Sequence, residues 1–428
     1  MARVRLRSVL AAVGASALLL AACNGTETET ATDETPTETD ASEEAPEAPE
    51  APEDGDEEAE APAADGEPIR IGIITSTSGF LGTYGNAYLD GLEAGLDYAT
   101  DGSGAVNGRP IEFEIVDDGG EPDQAISAAV DLVGQGITIL AGAVSSGVAV
   151  QLAPFAEENE LLFISGPAAT DAVTGINQYT FRSGRQSYQD VAAAASLVDE
   201  IDGSTVVAFV QDSEFGSANI AAVDAVLGAE GANVEAVEVP LSATEFTPFV
   251  QQVADLDPDL VFVAWAGDTT PAMWETMEQQ GIFENYTVTT GLGDVATWPL
   301  YGPAGPDILF LSHYYSTAPD NDVNSFLIDA VGADNVDLFT PDGFVAAQMI
   351  VQALSEADPE DVDGMISALE GWTFEAPKGT TTIRASDHAM LQPMFTASML
   401  NIDDDPANIE VETVEILPPE ATEPPEAG

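Results

Sequence analysis

The sequence predicts an α/β protein built of two doubly wound, parallel-sheet lobes. Three observations carry this. From residue 69 onward, short apolar runs alternate with amphipathic helical stretches, the pattern of βαβ units. The alternation occurs in two arrays of similar size. About 350 residues remain once an apolar leader and an acidic linker are set aside, enough for two domains.

The first segment, residues 1–22, carries Arg3, Arg5 and Arg7 ahead of an apolar run that ends in small residues. It has the layout of a secretory signal and is shorter than an ordinary membrane span. Leu20-Ala21-Ala22 stand directly before Cys23, the only cysteine. The arrangement resembles a bacterial lipoprotein signal, which makes Cys23 the expected lipidated residue and the membrane an expected partner. Residues 23–67 then hold 18 acidic residues and no aromatic residue, lysine or arginine. Such a segment buries too little apolar surface to offset its ordering entropy, so a disordered tether is expected.

The body follows. "IRIGIIT" (69–75) is a continuous apolar run, as in a strand buried on both faces. Residues 84–100 place Tyr88, Leu92, Leu96 and Ala99 at helical spacing. "PIEFEIV" (110–116) alternates as a strand, and a helix near 121–134, a strand at 137–141, a helix at 147–158 and a strand at 161–165 complete the first array. The second array has strands at 205–210, 233–239, 259–265 and 286–291. Helices at 216–230, 246–255 and 270–281 separate them. Beyond it come a strand at 307–312, helices at 322–331, 341–357 and 359–370, and strands near 380–384 and 393–400. Residues 418–428, "PPEATEPPEAG", are expected to be disordered. In α/β sheets of this kind ligands bind beyond the C-terminal ends of the strands, so the cleft between the lobes is the expected site.

Composition excludes several functions. The chain has 9 basic and 76 acidic residues, a formal charge of −67. The part after residue 67 is itself near −52, with Lys378 as its one lysine. No basic patch exists to neutralise phosphates, which excludes a nucleic-acid partner. Self-repulsion on this scale calls for salt screening. With two histidines, His313 and His388, and neither a GxSxG nor a P-loop, the chain has little material for catalysis. "DNDVN" (320–324) and "DDDP" lack the glycine and distal glutamate of a calcium loop, so no metal or cofactor is called for.

Several segments are similar to the branched-chain amino acid type of periplasmic binding protein. They are "IRIGIITSTSGFLGTYGNAYLDGLEAGLDYA", "VNGRPIEFEIVDDGGEPDQAISAAVDLV", "AGAVSSGVAVQLAPFAEENELLFISGPAATDAVTG", "YTFRSGRQSYQD" and "FEAPKGTTTIRASDHAMLQPMF". They occur in the family's order over about residues 69–400. The resemblance implies the type I periplasmic-binding-protein fold, with lobe 1 at 69–186 and about 316–383, and lobe 2 at 187–315 and about 384–417. It also implies a monomeric, non-enzymatic receptor that closes on a small solute and delivers it to an ABC permease. The alternative is the same body sensing a ligand for a membrane partner.

The resemblance also names site residues. Ser145 and Ser146 open a helix after a strand, where hydroxyls and helix amides favour an anion, and Ser146 is implied as the holder of a ligand carboxylate. In "PAAT", Ala168, Ala169 and Thr170 are implied to contact the head group. Tyr84, Phe215 and Trp265 are implied as aromatic walls, with Phe215 lacking the family's usual hydroxyl. Where the family carries an acid for a ligand ammonium, this chain has Gly293, which leaves Asp268 and Asp294 as candidates and the ligand open among amino acids, other carboxylates and amides. Arg182 and Arg185, near the expected hinge, are read as structural ion-pair residues.

Overall fold

The computed structural model describes residues 66–198, 200–401 and 408–427. The leader, Cys23 and most of the acidic linker lie outside the described residues.

The first lobe is a six-stranded sheet in the order β2-β3-β1-β4-β5-β6. Its strands are β1 (Ile69–Thr75), β2 (Ala105–Val106), β3 (Arg109–Asp117), β4 (Ile139–Gly142), β5 (Leu162–Ser165) and β6 (Thr180–Arg182). All pair in parallel except the short β2. The apolar run of β1 serves both faces by alternation. Ile71 and Ile73 meet Tyr88 and Leu92 of α1 (Gly82–Ala99) and the buried face of α10 (Thr340–Glu356). Ile74 points the other way, among alanines and leucines of α2 (Pro122–Gly134) and α3 (Ser146–Asn159). α1 and α10 cross with backbones nearly touching. A Cβ on Gly91 would lie 1.8 Å from the Thr340 carbonyl oxygen, and one on Gly343 would lie 1.9 Å from that of Tyr88.

The second lobe is a seven-stranded sheet in the order β16-β15-β11-β10-β9-β7-β8. Its strands are β7 (Thr205–Asp212), β8 (Asn233–Pro240), β9 (Leu260–Ala264), β10 (Thr287–Gly291), β11 (Ile308–Ser312), β15 (Met394–Asn401) and β16 (Ile409–Leu417). α4 (Ser187–Ala195) and α5 (Glu214–Val223) cover one face, α6 (Thr247–Asp255) and α7 (Thr270–Gln279) the other. The strands from β7 to β11 are parallel, but β15 and β16 run antiparallel. The sheet is therefore mixed, and β16 was not expected from the sequence because its charged alternation "IEVETVEIL" reads as exposed. A short helix, α8 (Ile282–Asn285), and a 3₁₀ stretch at Trp298–Asp307 flank β10.

The chain passes between the sheets three times, after β6, after β11 and before β15. After the second passage, α9 (Asp322–Val331) and α10 pack on α1. α11 (Val362–Leu369) and a small antiparallel sheet complete lobe 1. That sheet comprises β12 (Thr373–Ala376), β13 (Gly379–Ile383) and β14 (Met390–Leu391). Because Ile383 and Met390 join the first lobe's core, residues 384–391 stay with lobe 1 rather than entering lobe 2. A second correction concerns the C-terminus. Residues 418–427, expected to be disordered, follow β16 into a 3₁₀ turn at Pro419–Ala421 and hydrogen-bond to Arg384 and Asp387. Among the described residues no helix is long and apolar enough to cross a membrane.

Candidate functional site

A cavity of about 380 Å³ lies between the lobes. Its wall comes from the segments that follow the C-terminal ends of β1, β4, β5, β7, β9, β10 and β11, where side chains converge because every parallel strand ends on the same edge.

On the first lobe, Gly142 and Ala143 turn the chain sharply out of β4, with Ala143 at a φ of 70°. A non-glycine residue in that region is strained. The turn presents Ser145 and the first turn of α3 to the cavity. Ser146 is buried, and its Oγ accepts the amide of Thr170 at 3.3 Å. This leaves its hydroxyl proton, with the helix N-terminal amides, for a negatively charged group. Pro167 and Ala169 of the following loop also line the cavity. Arg182 holds that loop from beneath. Fully buried, it donates to the carbonyls of Ala168, Thr170, Gly184 and Arg185. Its role is structural, through backbone carbonyls rather than the ion pair expected from the sequence. Arg185 is paired with Asp190 (Nε to Oδ2, 3.1 Å), donates to the Pro167 carbonyl and lies over the Phe339 ring, yet it also forms part of the cavity wall.

Aromatic rings supply much of the remaining wall. Tyr84 on α1 packs edge-on against Phe339, which stacks on His313. Burial, then the charges of Arg185 and Lys378, hold His313 well below its usual pKa, so its ring is neutral. From the second lobe come Phe215 on α5 and Trp265 after β9. Trp265 is braced by Phe246 and Phe209, and its Nε1 donates to Thr269 at 3.0 Å. A half-buried indole fixed in this way presents a rigid apolar surface.

The lobes meet around the cavity. Thr170 Oγ1 donates to Glu214 Oε1 at 3.1 Å. Val295 of lobe 2 donates its amide to the carboxylate of Asp337, which precedes α10 on the lobe 1 side. Tyr84 lies close enough to Asp294 for that carboxylate to act on its hydroxyl, and Phe80 closes on Gly267. Burial, then Asp294, raises the Tyr84 pKa, and burial, with Asp294 adding to it, pushes Asp337 up to about 6.

The structure thus gathers Tyr84, Ser145, Ser146, Ala169, Phe215 and Trp265 on one cavity. Four other sequence candidates fall elsewhere. Ala168 and Thr170 are fully buried behind the wall, where Ala168 supplies a carbonyl to Arg182 and Thr170 a hydroxyl to Glu214. Asp268 is exposed and off the cavity. Asp294 spends its carboxylate on the amide and hydroxyl of Thr297. Two acids line the cavity from lobe 2: Asp190, which is paired with Arg185, and Glu214. Sequence reasoning passed over Glu214 beside Phe215, since adjacency on a helix turn does not tell which side chain faces a cleft. Phe80, Phe339 and Gln211 line the cavity as well, and no local pattern in their segments marks them as facing a cleft. Among the described residues no cluster of His, Cys, Asp and Glu is placed to hold a metal.

Two α/β lobes with a ligand-sized cleft at the strand ends define a solute-binding receptor. The sequence profile of the periplasmic binding protein family matches residues 68–404, and the chain belongs to that family. It is 25% identical over 320 residues to a Leu/Ile/Val-binding protein of Rhizobium johnstonii, covering 72% of this chain and 85% of that one. A crystal structure of an ABC-type branched-chain amino acid transporter protein from Rhodopseudomonas palustris superposes with a TM-score of 0.69 at 30% identity, over 84% of this chain and 99% of that one. A solute-binding protein of an R. palustris ABC transporter, solved with 4-hydroxybenzoate, shares the fold, with a TM-score of 0.74 at 22% identity over 82% and 97% of the two chains. The chain is accordingly a solute-binding protein of the ABC-transporter class, a family that works outside the cytoplasm.

Proposed function

We propose that this protein is the receptor of an ABC importer, lipid-anchored through Cys23 on the outer face of the membrane, and that its lobes close on a small carboxylate-bearing solute with an apolar or aromatic body. The observation that carries the reading is the cavity itself. One wall offers Ser145, Ser146 and the amide end of α3. The rest is largely aromatic and aliphatic, including Tyr84, Phe215, Trp265 and Phe339. A carboxylate on an apolar body is also what leucine and 4-hydroxybenzoate have in common, the ligand chemistries named for two of the relatives. Glu214 adds a preference. One of its oxygens is engaged by Thr170, itself bonded to Ser146, so an acceptor stands beside the anion-favouring end. An α-amino acid, whose charges are separated by one carbon, suits that juxtaposition better than a bare acid does.

The test is calorimetric titration with leucine, phenylalanine, their deaminated acids and 4-hydroxybenzoate. A hydrogen bond to a charged group is worth about 1.5–3 kcal/mol, so Ser146→Ala is expected to weaken binding roughly ten- to a hundred-fold. Trp265→Ala is expected to cost more and to change the ligand ranking. Glu214→Gln is expected to weaken amino acids while leaving or improving the deaminated acids. Wild-type affinity in Ser146→Ala and Trp265→Ala alike places the ligand elsewhere. The anchor has its own check, in that Cys23→Ala is expected to release the protein from the membrane fraction.

A further inference from the structure

We propose that the C-terminal segment Pro418–Ala427 is a strap that ties lobe 2 to lobe 1 in the closed arrangement. It adds a fourth connection to the three chain passages. The strap begins where β16 leaves the second sheet at Leu417, which is buried in that lobe's core. It ends on the loop after β13, a part of the first lobe. That loop is fixed there by His388, whose ring stacks on Phe181 and whose Nδ1 meets the Thr180 carbonyl, and by the Gly175 amide, which donates to the Asp387 carbonyl.

The grip is specific. Arg384 Nη1 donates to the Pro424 carbonyl at 2.8 Å and to Glu423 Oε1 at 3.0 Å, while Nη2 donates to the Pro425 carbonyl at 3.2 Å. Asp387 orients the guanidinium by two hydrogen bonds, at 2.8 and 2.7 Å, and accepts the amide of Ala427 at 3.0 Å. Ser386 Oγ reaches Glu426. Asp387 is buried and has its pKa lowered, since the hydrogen bonds from Arg384, Ala427 and Ala389 outweigh the effect of burial.

Two features separate this from incidental packing of a chain end. After residue 7 the chain has only six basic residues, and one of them is committed to the tail. The tail itself repeats "PPEA", at 418–421 and 424–427, and proline's fixed φ lowers the entropy lost on docking. Between the strap, the 170–174 loop of lobe 1 and the α5 face of lobe 2 lies a second cavity, which Thr170 and Glu214 also line. The strap therefore spans the same gap that the Thr170–Glu214 hydrogen bond closes from the cleft side. Opening the lobes requires the strap to release.

The inference rests on the lobes opening around the cleft, but its test needs no ligand and so is independent of the ligand reading. Nitroxide labels at Asp123→Cys and Glu245→Cys, exposed positions near the cleft rim of each lobe, are introduced into the full chain carrying Cys23→Ser. Pulsed electron–electron distances are then compared among the otherwise unaltered protein, Arg384→Ala, Glu423→Ala and a chain ending at Leu417. Arg384→Ala and the truncated chain are expected to lower the closed-to-open ratio roughly tenfold, the effect of losing one hydrogen bond to a charged group. Glu423→Ala, which removes only an exposed contact, is expected to lower it less and serves if the larger changes impair folding. A single label at Ala421→Cys is expected to be immobile in the unaltered tail and mobile with Arg384→Ala. Identical distance distributions in all four chains overturn the proposal, as does a mobile Ala421 label when Arg384 is intact.

Discussion

Asp337 shows how one carboxylate couples the lobes to pH. It takes the Val295 amide across the lobe boundary and the Leu338 amide on its own side, with Asp294 facing it. Burial and Asp294 raise it from an ordinary 3.8 to about 6 in the folded protein. The native state therefore binds the proton more tightly than the unfolded chain does. The stability contributed is fully present below about 3.8 and is lost as pH rises through about 6. Asp337→Asn imitates the neutral form. It is expected to stabilise the protein at pH about 8, with the gain shrinking toward pH about 4 as wild type becomes protonated. Urea denaturation at both pH values checks this, and an equal gap at the two removes Asp337 as the titrating group. The same residue-scale view explains the site. Asp268 and Asp294 are the acids the sequence offered, but one faces solvent and one is consumed by Thr297, whereas Glu214 lines the cavity.

At the scale of elements, the first lobe depends on the crossing of α1 and α10. Their side chains at Gly91, Gly95 and Gly343 are absent where the opposing backbone stands. Gly91→Ala forces a methyl to within 1.8 Å of a carbonyl oxygen, and overpacking of this kind costs about 1–3 kcal/mol. Gly134, at the end of α2, has open space around its Cβ position, so Gly134→Ala is expected to be neutral or to stabilise by up to about 1 kcal/mol. Chemical denaturation of the two variants decides whether helix contact or helix propensity governs. Losses of the same size in both would remove the close crossing as the cause. The apolar period of α1 was legible in the sequence, but the reason for its glycines was not, because the surface they fit lies some 250 residues further along the chain.

Over the whole molecule, charge dominates. Of the six basic residues after residue 7, Arg182, Arg185 and Lys378 are buried, and Lys378 is held between Asp342 and Gln392. Arg70, Arg109 and the partly covered Arg384 are left to offset a surface rich in carboxylates. Unscreened repulsion then opposes the compact state. The unfolding temperature is expected to rise from about 0.05 M to about 2 M sodium chloride by more than that of a near-neutral relative, since salting-out raises both. A flat curve for this protein sinks the argument.

The sequence by itself determined what is local. Apolar alternation named most strands and helices, the two arrays predicted two lobes, and the order of similar segments indicated the family. Resemblance to the family also named six of the side chains that line the cavity. Only the tertiary structure decided that Glu214 faces the cavity, that β15 and β16 run antiparallel, and that residues 418–427 dock rather than trail. Periodicity reports whether a residue is buried within its own element, whereas these outcomes depend on groups distant in sequence. Glu214 meets Thr170 across 44 residues and Arg384 meets Pro424 across 40. Such pairs form only when the lobes pack, and nothing in the spacing of either partner records the other.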